Sequence, residues 1–97
     1  MTHMVFMKFE DGYFTGDVFS KISDAFESLA VALPEEILSV SLRKNCIPRK
    51  FNMDMLIEMK LRGEDSLSVY LEHPIHLAIG EVMNPHIVNR ASFDYED

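Results

Sequence analysis

The sequence predicts an α+β sandwich, with an antiparallel sheet carrying helices on one face. Three observations predict it. Four stretches read as strands, the clearest of them alternating apolar residues with period two. Between them lie stretches in which apolar residues recur at three and four. The order along the chain is β-α-β-β-α-β, which right-handed crossovers close into a ferredoxin-like sandwich.

The first strand runs from His3 to Phe9: His3, Val5, Met7 and Phe9 fall on one side, Met4, Phe6 and Lys8 on the other. Glu10-Asp11-Gly12 closes it with turn chemistry. From Asp17 the period changes, and Val18, Phe19, Ile22, Phe26, Leu29, Ala30 and Leu33 form the stripe of an amphipathic helix. Thr15 or Asp17 supplies its cap, Pro34 ends it, and Lys21, Asp24 and Glu27 take the wet side. Ile37 to Arg43 alternates again, with Leu38, Val40 and Leu42 opposite Ser39 and Ser41. After a loop around Pro48, Phe51 to Leu61 gives the longest alternation and predicts a central strand. Residues 66–72 and 74–83 predict two helical pieces at an angle, because proline interrupts the first and fits the opening turn of the second. Asn84-Pro85 stops the second piece, and Val88 to Tyr95 makes the last strand.

This arrangement puts His3, Val5, Met7, Met55, Ile57 and Met59 on the helix side of the sheet, and Met4, Phe6, Lys8, Leu56 and Glu58 on the other. The second side is too apolar for water and calls for a partner sheet. Chain length points the same way. Ninety-seven residues form one domain with a thin core, yet seven Met and seven Phe must be hidden, so a homodimer is expected.

Sixteen acidic against nine basic side chains leave a formal charge of −7, which disfavours nucleic acid as a partner. Arg43, Lys44, Arg49 and Lys50 cluster around the Pro48 loop as a solvated face. A lone cysteine, Cys46, precludes an internal disulfide and reads as an ordinary loop thiol in a reducing compartment. With no signal-peptide layout and no apolar run of spanning length, a soluble, cytoplasmic protein without membrane association is expected.

The chemistry gathers in Tyr70-Leu71-Glu72-His73-Pro74-Ile75-His76. Together with His3, Lys8-Phe9, Glu58, Gly80-Glu81-Val82 and the closing Phe93-Asp94-Tyr95, this segment resembles the stress-responsive A/B barrel domain (Dabb) family over the whole chain. The resemblance implies a dimeric α+β barrel in which two sheets pack face to face with helices outside. From Glu58 onward the chain resembles, without gaps, the family's plant polyketide cyclases, barrels of the olivetolic acid cyclase type. Against those, Tyr70 and His76 match the catalytic phenol and imidazole, and His3 matches a pocket histidine. Met55 and Ile87 depart from that pattern, standing where the cyclases carry a second pocket histidine and a cavity tryptophan, so their substrate does not transfer. Some relatives bind a cation through backbone carbonyls after the first helix, here around Ala30 to Glu36.

His76 is the candidate general base, since its ordinary pKa suits proton abstraction beside a carbonyl. Tyr70 is the candidate donor to a developing enolate. Six residues separate them, so their meeting requires the break at Pro74. Packing roles for both are the alternative. His73 reads as a cap for the second helical piece, and a His73/His76 metal pair lacks a third ligand. His86 is expected at the surface, and Lys8 is expected to pair with Glu58 or to meet an interface. Where the helix-facing side lines a cavity, its walls are His3, Val5, Met7, Met55, Ile57 and Met59 from the sheet, with Leu71 and Ile79 from the helices. The leading expectation is binding of a small, mostly apolar ligand in a helix/sheet cleft, without cofactor or metal. The alternatives are a cofactor-free lyase, cyclase or isomerase using His76 with Tyr70, a cofactor-independent monooxygenase-like barrel, and a purely structural stress protein.

Overall fold

The computed structural model describes residues 1–97. Four strands, β1 (Thr2–Phe9), β2 (Ile37–Lys44), β3 (Met55–Leu61) and β4 (Ile87–Tyr95), form one antiparallel sheet in the order β2-β3-β1-β4. Helix α1 (Gly16–Ala32) joins the first two strands; α2 (Asp65–Leu71), α3 (Pro74–Met83) and a short 3₁₀ turn at Asn84–His86 join the last two. This is the ferredoxin-like α+β fold that the β-α-β-β-α-β order predicts. No helix is long and apolar enough to cross a membrane.

The local signals act largely as the residues dictate. Gly12 takes φ +82° in the turn after β1, a left-handed conformation that glycine adopts without steric cost. The Thr15 hydroxyl accepts the Val18 amide at 3.3 Å and so caps α1. His73, held extended before Pro74, caps α3 by accepting the Ile75 amide on Nδ1 at 3.1 Å. The start of α2 is anchored to the start of β2, because the Ser66 hydroxyl and Arg62 both donate to the Glu36 carboxylate.

The core lies between the helices and one face of the sheet. Ile22, Phe26 and Leu29 of α1 close over Met55, Ile57 and Met59 of β3, all at most 2% exposed. Each such side chain contributes about 1.5–3 kcal/mol by leaving water. The opposite face carries Met4, Phe6, Leu56 and Glu58, half-buried, with Phe93 and Tyr95 of β4 more open to solvent.

Three expectations are corrected. Strand β3 begins at Met55, not Phe51, and Phe51 is 88% exposed. The preceding residues form a loop stapled by Asn45 and Asn52, whose side chains both donate to the Ile47 carbonyl, a local alternative to the strand ladder. In β2 an irregularity between Ile37 and Ser39 turns Ile37 into the core and leaves Leu38 outside, reversing the simple alternation. Lys8 does not pair with Glu58. Glu58 stands opposite Met4, four residues from Lys8, or roughly 13 Å along the strand. The Lys8 ammonium instead donates to the carbonyls of Lys50 and Asn52. His86 keeps its side chain 37% exposed at the surface, where it stacks on Tyr13 with ring centroids 3.9 Å apart and bonds the Glu10 carboxylate.

Within the stretch from Ala30 to Glu36, the Leu33 carbonyl accepts the amides of both Glu36 and Ile37. It is occupied by the turn into β2.

Candidate functional site

A cavity of about 300 Å³ opens between α2 and α3 above and the β1–β4 side of the sheet below. Its floor is His3, Val5 and Met7 of β1, with Ile57 alone from β3. Leu67, Tyr70 and Leu71 of α2 and His76, Gly80 and Met83 of α3 form the roof, with Phe26 of α1 behind. A fourth group comes from β4, where Arg90, Ser92 and Asp94 stand opposite Met7, Val5 and His3 in the strand register. Alternation carries all three of these polar residues to the helix side.

The break at His73-Pro74 brings the two candidate chemical groups together. Tyr70 lies in the last turn of α2 and His76 in the first turn of α3, and their rings meet edge-on with centroids 4.8 Å apart. Tyr70 also meets His3 at 5.7 Å and Phe26 at 6.2 Å. The phenol is 2% exposed and its hydroxyl has no hydrogen-bond partner in the protein. Burial pushes its pKa well above the ordinary value, Arg90 opposes this, and Asp94 adds to it. Tyr70 therefore keeps its proton and can only donate or weakly accept.

His76 is its complement. Nδ1–H donates to the Leu71 carbonyl oxygen at 2.9 Å, and because a carbonyl only accepts, the proton sits on Nδ1. The neutral ring then carries its lone pair on Nε2. Burial pulls the imidazole pKa below its ordinary value; the Leu71 bond opposes this, while the charges of Arg90 and His3 reinforce it. A neutral imidazole of fixed tautomer beside a protonated phenol is a base next to an acid.

His3 is bound differently. It is 6% exposed, its Nδ1–H donates to the Asp94 carboxylate, and its Nε2 is buried without any partner. Arg90 donates through its guanidinium to the Asn84 side-chain oxygen at 2.6 Å and forms no ion pair.

Of the expected wall residues, His3, Val5, Met7, Ile57, Leu71, Tyr70 and His76 line this cavity. Met55, Met59 and Ile79 do not. They are 2%, 0% and 6% exposed and belong to the packed core, because the cavity lies toward β4 and reaches β3 only at Ile57. Of the polar strip Arg90-x-Ser92-x-Asp94, the sequence singled out only Asp94, within Phe93-Asp94-Tyr95, and gave it no place in the site. The strip's period-two spacing in the last strand was the available signal, but polar alternation at a chain end reads first as a solvated face.

The chain can be compared with known proteins on this basis. No curated protein matches the chain in sequence. Solved structures of the same fold are numerous. A dimeric ferredoxin-like protein of unknown function from Thermobifida fusca superimposes with a TM-score of 0.77 at 24% identity, over 95% of this chain and 85% of that one. A Dabb family protein from Mesorhizobium loti gives 0.74 at 16% identity, over 99% and 94%. The hydroxynitrile lyase of Passiflora edulis gives 0.77 at 14% identity, over 97% and 89%. At these identities the likeness is one of fold. The family model for the stress responsive A/B barrel domain matches residues 1–97. With the four-stranded sheet, the broken second helix and the whole length matched, the chain belongs to the stress responsive A/B barrel domain family.

Proposed function

We propose that this protein is a homodimeric barrel that binds a small, mostly apolar molecule in the cleft between α2/α3 and the sheet. One observation carries the reading: Tyr70, His76 and His3 converge on a single cavity of about 300 Å³ whose other walls are mainly apolar. That size and lining suit a small organic ligand held by a few polar groups. The dimer is supported by the half-buried apolar outer face of the sheet and by neighbours of this fold that are dimeric.

A second reading is favoured by one further observation, the fixed tautomer of His76 beside the buried phenol of Tyr70. On this reading the cleft performs cofactor-free proton transfer in a lyase, cyclase or isomerase reaction. His76 Nε2 takes a proton from a carbon next to a carbonyl, and Tyr70 donates a hydrogen bond to the oxygen on which charge develops. That a protein of this fold is a hydroxynitrile lyase supports lyase chemistry within it.

Native mass spectrometry of the purified protein tests both parts of the first reading. The expected spectrum is a dimer carrying a co-purified or added small molecule, displaced when Leu67 or Ile57 is enlarged to Phe. A monomer, or a bound mass indifferent to those changes, removes the reading. For the second, turnover of the identified ligand that survives His76→Ala removes proton transfer by His76.

A further inference from the structure

The cavity's wall carries a cation that a purely apolar ligand would not use. Arg90, an exposed residue of β4, lines the cavity's edge and makes no ion pair in a protein of net charge −7. One donor goes to the Asn84 oxygen at 2.6 Å, which leaves the rest of a five-donor planar fork free. Asn84 is itself fitted closely to α3: a Cβ on Gly80 would lie 3.3 Å from its side-chain nitrogen. Glycine at that position lets Asn84 lie against the helix and aim the guanidinium. Across the floor, His3 Nε2 is buried, lines the same cavity and bonds nothing. An orphaned buried nitrogen is costly unless a ligand satisfies it.

We propose that the ligand of this cavity is a carboxylic acid with an apolar tail, its carboxylate held by Arg90 and His3 and its tail lying along Val5, Ile57 and Leu67. The inference rests on the cleft-binding reading above and names its ligand class. Arginine matches a carboxylate bidentately, which a neutral ligand cannot exploit. His3 fits the same role. Its Nδ1–H is committed to Asp94, so a bound carboxylate selects the imidazolium form, with Nε2–H as donor and Asp94 balancing the charge. Asp94 is thereby neutralised as a repelling group.

Octanoate and its neutral isostere octanamide serve as probes, followed by calorimetry and by the imidazole resonances of His3 and His76. Octanoate should bind more tightly by tenfold or more, the magnitude of a charge-assisted pair. In Arg90→Met the ratio of the two affinities should fall to about one, while Arg90→Lys, which keeps the charge but not the fork, should retain part of it. Gly80→Ala, which pushes on Asn84, should lower the ratio without unfolding the protein. Equal affinities for the two probes in the unaltered protein, or a ratio that survives Arg90→Met, would overturn the carboxylate inference while leaving the cleft as an apolar binding site. Failure of both probes to move either imidazole resonance would remove the cleft reading and this inference with it.

Discussion

Tyr70 and His76 lie on different helices, yet their rings are 4.8 Å apart, and the dipeptide His73-Pro74 is what allows it. On one straight helix, six residues would place the two side chains far around the axis from each other. The chain instead ends α2, turns through an extended His73, and restarts with proline in the first turn, where no amide donor is missed. His73 then caps the new helix with its own ring. The site is thus assembled by a helix break, and the break is encoded in adjacent residues.

That gives the first prediction. His73→Ala removes the cap of α3 and should cost about 1 kcal/mol. In a domain of this size the thermal midpoint should fall by roughly 4–8 °C. Ligand affinity should fall as well, since α3 carries His76, Gly80 and Met83 into the cavity roof. An unchanged midpoint would mean that Pro74 alone sets the turn.

The second concerns protonation. Burial lowers the His76 pKa below its ordinary value of 6.5 in the folded protein. Between the lowered folded value and the unfolded value, the unfolded chain binds more protons, so stability rises with pH. The contribution is complete above 6.5 and is lost as pH falls through the folded value. Imidazole resonances followed by NMR should show His76 titrating below 6.5. His76→Gln should flatten the fall in denaturation midpoint on the acid side of that value. A ring that titrates at or above 6.5 would contradict its half-buried setting near Arg90 and remove the argument for a neutral base.

The third follows from the difference between core and cavity wall. Met59 and Ile57 are both at most 1% exposed on the same face of β3, but only Ile57 reaches the cavity. Truncating either to alanine should destabilise by about 2–5 kcal/mol. Only Ile57→Ala should also change which ligand lengths bind, because the space it opens joins the cleft. Denaturation curves paired with a chain-length series of bound acids would show it, and an equal shift of length preference in Met59→Ala would place the cavity wall elsewhere.

These comparisons also show what could be read in the chain beforehand. The four strands, the long helix and the helix break were legible because burial imposes periods of 2 and 3.6 that proline and glycine punctuate. Tyr70, His76 and His3 were legible as a set through the spacing around Pro74 and the family resemblance. Where one periodicity ends was not. Phe51 and Met53 continue the alternation of β3 by composition alone, while Asn45 and Asn52 draw that segment into a loop. Leu38 likewise obeys the pattern but is displaced by the irregularity in β2, which no local residue type announces. Arg90, and the place of Asp94 in the site, were hidden for a different reason. Their meaning lies in pairing with Met7 and His3, more than eighty residues away in sequence, and register is a property of the sheet.

A fourth prediction concerns the Asp97 carboxylate, which accepts hydrogen bonds from the Thr2 hydroxyl at 2.7 Å and the Lys60 ammonium at 3.0 Å. Those bonds hold its pKa down at about 2, while the same contact raises that of Lys60. A carboxylate with a depressed folded value adds stability that is present above the unfolded value of 3.8 and lost as pH falls towards 2. Lys60→Met should therefore move the Asp97 titration upward, as read from its side-chain carbonyl resonance. No movement would show that Thr2 and the Met1 ammonium account for the depression without Lys60.

The last prediction bears on the outer face of the sheet. Phe93 is 62% exposed and stands opposite Met4 in the ladder, with Phe6 opposite Ala91 and Leu56. These residues share the face away from the helices, where Met4, Phe6 and Leu56 are only half-buried. Exposed aromatic rings grouped on a flat sheet are unfavourable in water and favour a second sheet against them. Phe6→Asp would set a carboxylate in the middle of that face, where a dimer must desolvate it and place it near its symmetry mate. Light scattering at micromolar concentration should give the mass of two chains for the unaltered protein and of one for Phe6→Asp, with helix content retained in both. A protein that is already monomeric before the substitution would show that the apolar face tolerates water, and the face-to-face barrel would have to be given up. A variant that remains dimeric would instead place the subunit contact on another surface, leaving the exposed edges of β2 and β4 as the remaining sheet elements able to provide it.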